Sequence, residues 1–75
     1  MSGLPRISGK QAAAALAKLG YEKDRQKGSH IILRQNIAPY RRLTVPDHKE
    51  LATGTLRAII RQAGLGVDEF NTLLN

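Results

Sequence analysis

The chain has no cysteine and no tryptophan, one phenylalanine, two tyrosines and three prolines in 75 residues. Without cysteine there is no disulfide framework, no thiolate metal site and no thiol nucleophile, and the composition suits a reducing compartment. Long apolar runs are missing too. None approaches the roughly 20 residues needed to cross a bilayer, and residues 1–10 lack the apolar core of a signal peptide. The expectation is a soluble cytoplasmic protein with no membrane association. At this length one domain is expected, residues 1–75, near the lower limit for a core unsupported by disulfides or metal.

Acidic residues are the other scarcity: six Asp and Glu face twelve Lys and Arg, a net charge of +6. Evenly spread, such charge would be only a solvated face. Here seven of the twelve cations fall between residues 23 and 49 (Lys23, Arg25, Lys27, Arg34, Arg41, Arg42 and Lys49), and five of the six acids lie outside residues 23–47 or at the end of that stretch. That middle stretch is where a polyanion would be drawn, nucleic acid before membrane.

What is present divides into short patterned segments. Residues 4–7 read as an extended lead-in because Pro5 biases its predecessor away from helix. Ser8-Gly9-Lys10-Gln11 fits a capping box, and the alanine-rich run that follows puts Ala12, Leu16 and Leu19 on one face before Gly20 ends it. Residues 21–26 read as a short, half-exposed strand, Lys27-Gly28 as a turn, and residues 29–34 as its antiparallel partner. If Ile31 and Leu33 face the core, then His30, Ile32 and Arg34 face the other way. Residues 35–40 are loop by composition, and residues 41–45 are a third strand ended by Pro46. A polar connection over residues 47–52 leads to Thr53-Gly54-Thr55, which opens a second helix with Leu56, Ile59, Ile60 and Ala63 on one face and Gly64 at its end. Val67, Phe70 and Leu74 mark a last amphipathic turn.

The order helix, three strands, helix predicts an α+β fold: a three-stranded antiparallel sheet with both helices on one face and the other face open. This is the αβββα arrangement of double-stranded-RNA-binding-like domains.

The sequence also resembles the HicA toxins of bacterial toxin–antitoxin systems. The shared features run through nearly the whole chain: Leu4-Pro5-Arg6-Ile7-Ser8-Gly9-Lys10, Leu19-Gly20-Tyr21, Lys27-Gly28-Ser29-His30, Val45-Pro46-Asp47-His48, Gly54-Thr55-Leu56 and Gln62-Ala63-Gly64-Leu65. Tyr21 stands where the family often has phenylalanine. The resemblance implies a metal-independent mRNA interferase, an endoribonuclease toxin without cofactor, whose catalytic histidine after the Gly-Ser pair falls on His30. It further implies a cognate HicB-like antitoxin.

The residues are chemically suited to that reaction. RNA carries its own nucleophile, the 2′-hydroxyl, so one general base can start cleavage, and an imidazole with an ordinary pKa of about 6.5 is partly neutral near pH 7. Gly28 lets the backbone approach a phosphate, and Ser29 can hold a phosphate oxygen or orient the imidazole, although a plain turn hydroxyl is an equal reading. Arg25, Lys27 and Arg34 would bind RNA and favour the charged transition state.

Taken without the resemblance, a lone histidine beside a glycine turn is more often a polar strand start than a catalyst. His48 reads as a loop histidine satisfied by a backbone partner rather than as the leaving-group acid, and two histidines with Asp47 make a poor zinc site. The competing function is a non-catalytic RNA-binding module on the same sheet. A helix-turn-helix DNA reader is disfavoured, since three strands separate the helices and neither helix has a long basic face. A protein-interaction role is compatible with catalysis, with Ile32 beside His30 as an apolar spot for an inhibitor.

Overall fold

The computed structural model describes residues 3–74; Met1, Ser2 and Asn75, included in the expected domain, lie outside the described residues. The elements are α1 (Gly9–Ala17), β1 (Tyr21–Lys27), β2 (His30–Gln35), β3 (Arg42–Pro46), α2 (Thr53–Gln62) and α3 (Val67–Leu73). The sheet has the order β1-β2-β3 with both pairings antiparallel. This is the expected α+β, double-stranded-RNA-binding-like arrangement, extended by a third helix. Among the described residues no helix is long and apolar enough to cross a membrane.

Local chemistry accounts for the start of α1. Ser8 is extended (φ −81°, ψ 165°), its hydroxyl accepts from the Gln11 amide at 3.1 Å, and its own amide donates to Gln11 Oε1 at 2.9 Å. Two of the donors that a helix start leaves unpaired are thereby satisfied. Small side chains then let the helix lie close to the sheet: Ala12, Ala15 and Leu16 are buried, and Leu19 is half-buried in the turn beyond the helix end. Gly20 follows with φ +90°, a conformation costly to other residues.

Period-two burial holds in the central strand β2 and in β3. Ile31, Leu33, Leu43 and Val45 point into a core completed by Ile7, Tyr21, Leu51, Leu56, Ile59, Ile60 and Phe70. The outermost strand β1 behaves differently: beyond Tyr21 every residue is exposed, and Asp24 is an extra residue between Lys23, which faces Leu33, and Arg25, which faces Ile32. The bulge and the alternating charges blunt a free sheet edge.

Three details depart from the sequence reading. The hairpin turn is Gly28-Ser29 rather than Lys27-Gly28, so β2 begins at His30. Gly28 has φ +56° while Ser29 does not have a positive φ, the sign pattern of a II′ turn, which calls for glycine at its first position. The cap of α2 is Ala52, with no side-chain hydrogen bond, instead of a threonine. The last segment is a helix of seven residues, too short to stand alone; Glu69 Oε1 accepts from the Gly66 amide at 2.9 Å, and Phe70 is fully buried. Burial of that ring, worth about 3–5 kcal/mol against alanine, holds the helix to the body.

Candidate functional site

The site is built on the open face of the sheet, and register shows which side chains share it. Residues opposite one another in antiparallel strands point to the same side. His30 is opposite Lys27 on β1 and Pro46 on β3; Ile32 is opposite Arg25 and Thr44; Arg34 is opposite Glu22 and Arg42. These three rows face away from the helices. His30, Lys27, Arg25, Arg34 and Arg42 are exposed, and Ile32 is half-buried between Arg25 and Thr44.

The row at the turn is tied down from behind. The Asp47 amide donates to the Ser29 carbonyl at 2.6 Å, so the end of β3 holds the hairpin tip. Gln26, opposite Ile31 and therefore on the helix-covered side, donates from Nε2 to the Gly28 carbonyl and to Asp47 Oδ2, each at 3.1 Å. One amide thus links the turn before His30 to the segment after Pro46. Behind Pro46, the Gly9 amide donates to the His48 carbonyl at 2.9 Å, and the Leu51 amide to the Ile7 carbonyl at 2.8 Å. The polar connection after β3 is therefore pinned to the lead-in and to the first turn of α1.

The fold brings His30, Lys27, Gly28, Ser29 and Arg25 together at one end of the open face and places Arg34 on the same face, two rows away. His30 and Lys27 flank the turn as a cross-strand pair, Gly28 and Ser29 are the turn itself, Arg25 is in the next row and Arg34 in the row after that. No atom lies within 4 Å of a Cβ built on Gly28, so the backbone at the tip is open to an approaching phosphate. His48 is exposed, and the bond at this residue is made by its backbone carbonyl. Among the described residues no three His, Asp or Glu side chains gather as they would around a metal ion.

The sequence reading missed three participants in this layout. Arg42 was legible, because the alternation that turns Leu43 and Val45 inward turns Arg42 outward. Gln26 and Asp47 were not, since their contact is 21 residues apart in sequence and depends on how β3 ends beside the hairpin.

An imidazole at the tip of a basic face, with an ammonium as its cross-strand neighbour, can sit against a phosphodiester and accept a proton from a hydroxyl beside it. The family model described as the HicA toxin of bacterial toxin–antitoxin systems matches residues 9–65. The chain belongs to the HicA toxin family. Comparison with curated individual proteins gives no match. As a HicA-family member the protein is a toxin of a toxin–antitoxin system, and the family implies a cognate antitoxin. The matched span holds α1, all three strands, α2 and every residue of the basic face. Helix α3 lies beyond it, although its Phe70 completes the same core.

Proposed function

We propose that this HicA-family toxin is a metal-independent endoribonuclease that cleaves mRNA in the cytoplasm, with His30 as general base. The observation that carries the reading is the cross-strand pairing of exposed His30 with Lys27 at the tip of a face that also bears Arg25, Arg34 and Arg42. His30 takes the proton of a 2′-hydroxyl, the 2′-oxygen bonds to the adjacent phosphorus, and the bond to the 5′-oxygen breaks. The products are a cyclic phosphate and a 5′-hydroxyl once that oxygen gains a proton. Lys27 and Arg25 offset the charge that builds on the phosphate, work that falls to a metal ion in other nucleases. Gly28 and Ser29 set the backbone that aims the imidazole.

A HicB-like antitoxin is the proposed inhibitor. Ile32 supports this: it is an apolar side chain between Arg25 and Thr44 in the middle of a mostly charged and polar face, where a bound protein would bury it together with His30.

The deciding experiment compares the native chain with His30→Ala on end-labelled RNA in excess EDTA. The native chain should cut, and the variant should bind but leave the RNA whole, with an unchanged melting temperature. Binding without cleavage by the native chain would make this a non-catalytic RNA-binding module instead.

A further inference from the structure

The far end of the open face carries a feature that neither the core nor the cleavage centre uses. Tyr40 is 51 % exposed, so burial does not account for an aromatic ring there. Its backbone has φ 58°, unfavourable for a bulky residue. The loop is nonetheless fixed: the Tyr40 amide donates to the Ile37 carbonyl at 2.8 Å, the Gln35 amide to the Arg41 carbonyl at 2.9 Å, and the Arg41 amide to Gln35 Oε1 at 3.3 Å. The Arg34 guanidinium carbon lies 5.3 Å from the centre of the ring, within cation–π range. An exposed ring is thus held in an unfavourable backbone conformation against a cation.

We infer that Tyr40 and Arg34 form a seat for one unpaired nucleobase of the RNA, apart from the cleavage centre; this rests on the RNA-cleaving reading above. Flat rings and guanidinium planes are the surfaces on which single-stranded bases stack. The groove beside them, about 270 Å³, is lined also by Glu22, Lys23, Asp24, Gln35 and Asn36. Glu22 and Asp24 offset the charges of Lys23 and Arg34, so the groove has no net pull on a phosphate, while its carboxylates and amides suit the neutral, N–H-bearing edge of a base. The phosphates have their own route. Lys27, Arg25, and the facing pair Arg34 and Arg42 form successive rows from the tip to this end of the sheet. Arg34 is four residues along β2 from His30, about 13 Å at the usual strand rise. At roughly 3.4 Å per stacked nucleotide, that span corresponds to about four nucleotides between the seated base and the bond that is cut. It is a flanking base, and its seat would contribute to the choice of cleavage site.

The test uses uncleavable 2′-O-methyl RNA carrying the fluorescent base 2-aminopurine at successive positions. With the native chain, stacking should quench one position. Tyr40→Phe should keep that quenching, while Tyr40→Leu, which retains apolar bulk without a flat ring, should abolish it and weaken binding about tenfold. An abasic site at the quenched position should weaken binding to the native chain by a similar factor, a readout that needs no folded variant. Equal quenching and affinity with Tyr40→Leu, or indifference to the abasic site, would overturn the seat while leaving RNA cleavage by the native chain standing. Loss of antitoxin capture by Tyr40→Leu at unchanged RNA affinity would reassign the surface to protein and likewise overturn it. A native chain that neither binds nor cuts RNA would overturn both readings.

Discussion

Gly9 and Pro46 meet backbone to backbone: a Cβ built on Gly9 would collide with the Pro46 carbonyl oxygen. Pro46 is also the β3 partner of His30, so the first turn of α1 is packed directly behind the candidate catalytic row. The obstacle is main chain, which cannot rotate away as a long side chain can. Gly9→Ala should therefore destabilise the protein by about 1–3 kcal/mol, lowering the melting temperature, and should reduce RNA cleavage by displacing the strand beside His30. An unchanged melting curve would show that the helix yields without cost.

Gly28 presents the opposite case, with free space around it and a demanding backbone. Nothing lies within 4 Å of its missing Cβ, so Gly28→Ala is penalised through φ +56° alone. The expected loss is about 1–2 kcal/mol, or several degrees in melting temperature. Cleavage should fall with it, but by less than in His30→Ala, because the imidazole remains. If Gly28→Ala and His30→Ala abolish cleavage equally while Gly28→Ala melts like the native chain, the glycine backbone itself handles the phosphate.

Lys27 should act on RNA as a charge rather than as a reader of sequence. Replacing it with glutamine removes one phosphate contact, so affinity should drop by a similar factor for unrelated RNA sequences. The slope of log affinity against log salt should flatten by about 0.7 for a single strand. An unchanged slope would place Lys27 off the path of the strand.

Tyr21 is buried, and its hydroxyl has no hydrogen-bond partner among the described residues. An unpaired buried hydroxyl costs about 1–3 kcal/mol, so Tyr21→Phe should raise the melting temperature at unchanged cleavage. A lower melting temperature would mean that the hydroxyl is in fact satisfied.

Much of this architecture is local in origin. The Ser8–Gln11 capping box, the glycine after α1 and the inward set Ile31, Leu33, Leu43 and Val45 all follow from spacings of two to four residues, which side-chain geometry turns directly into faces. The same alternation settled that His30 faces away from the helices. The hairpin turn was displaced by one residue because Lys27 and Gly28 are both plausible turn residues, and only the Lys27–His30 pairing separates them. Helix α3 read as a mere turn because seven residues carry little periodicity, and its stability comes from the core that receives Phe70.

By itself the sequence determined the element order as far as α2, the parity of β2 and β3, the net charge and the Gly-Ser-His motif, since each depends on residues near one another in the chain. Tertiary structure alone decided what stands beside His30. Strand order and register put Lys27 and Pro46 in its row, Gln26 reaches Asp47 beneath the turn, and Gly9 closes against Pro46 from behind. These contacts join residues far apart in sequence, and they exist only because the buried faces of three strands and three helices must share one core.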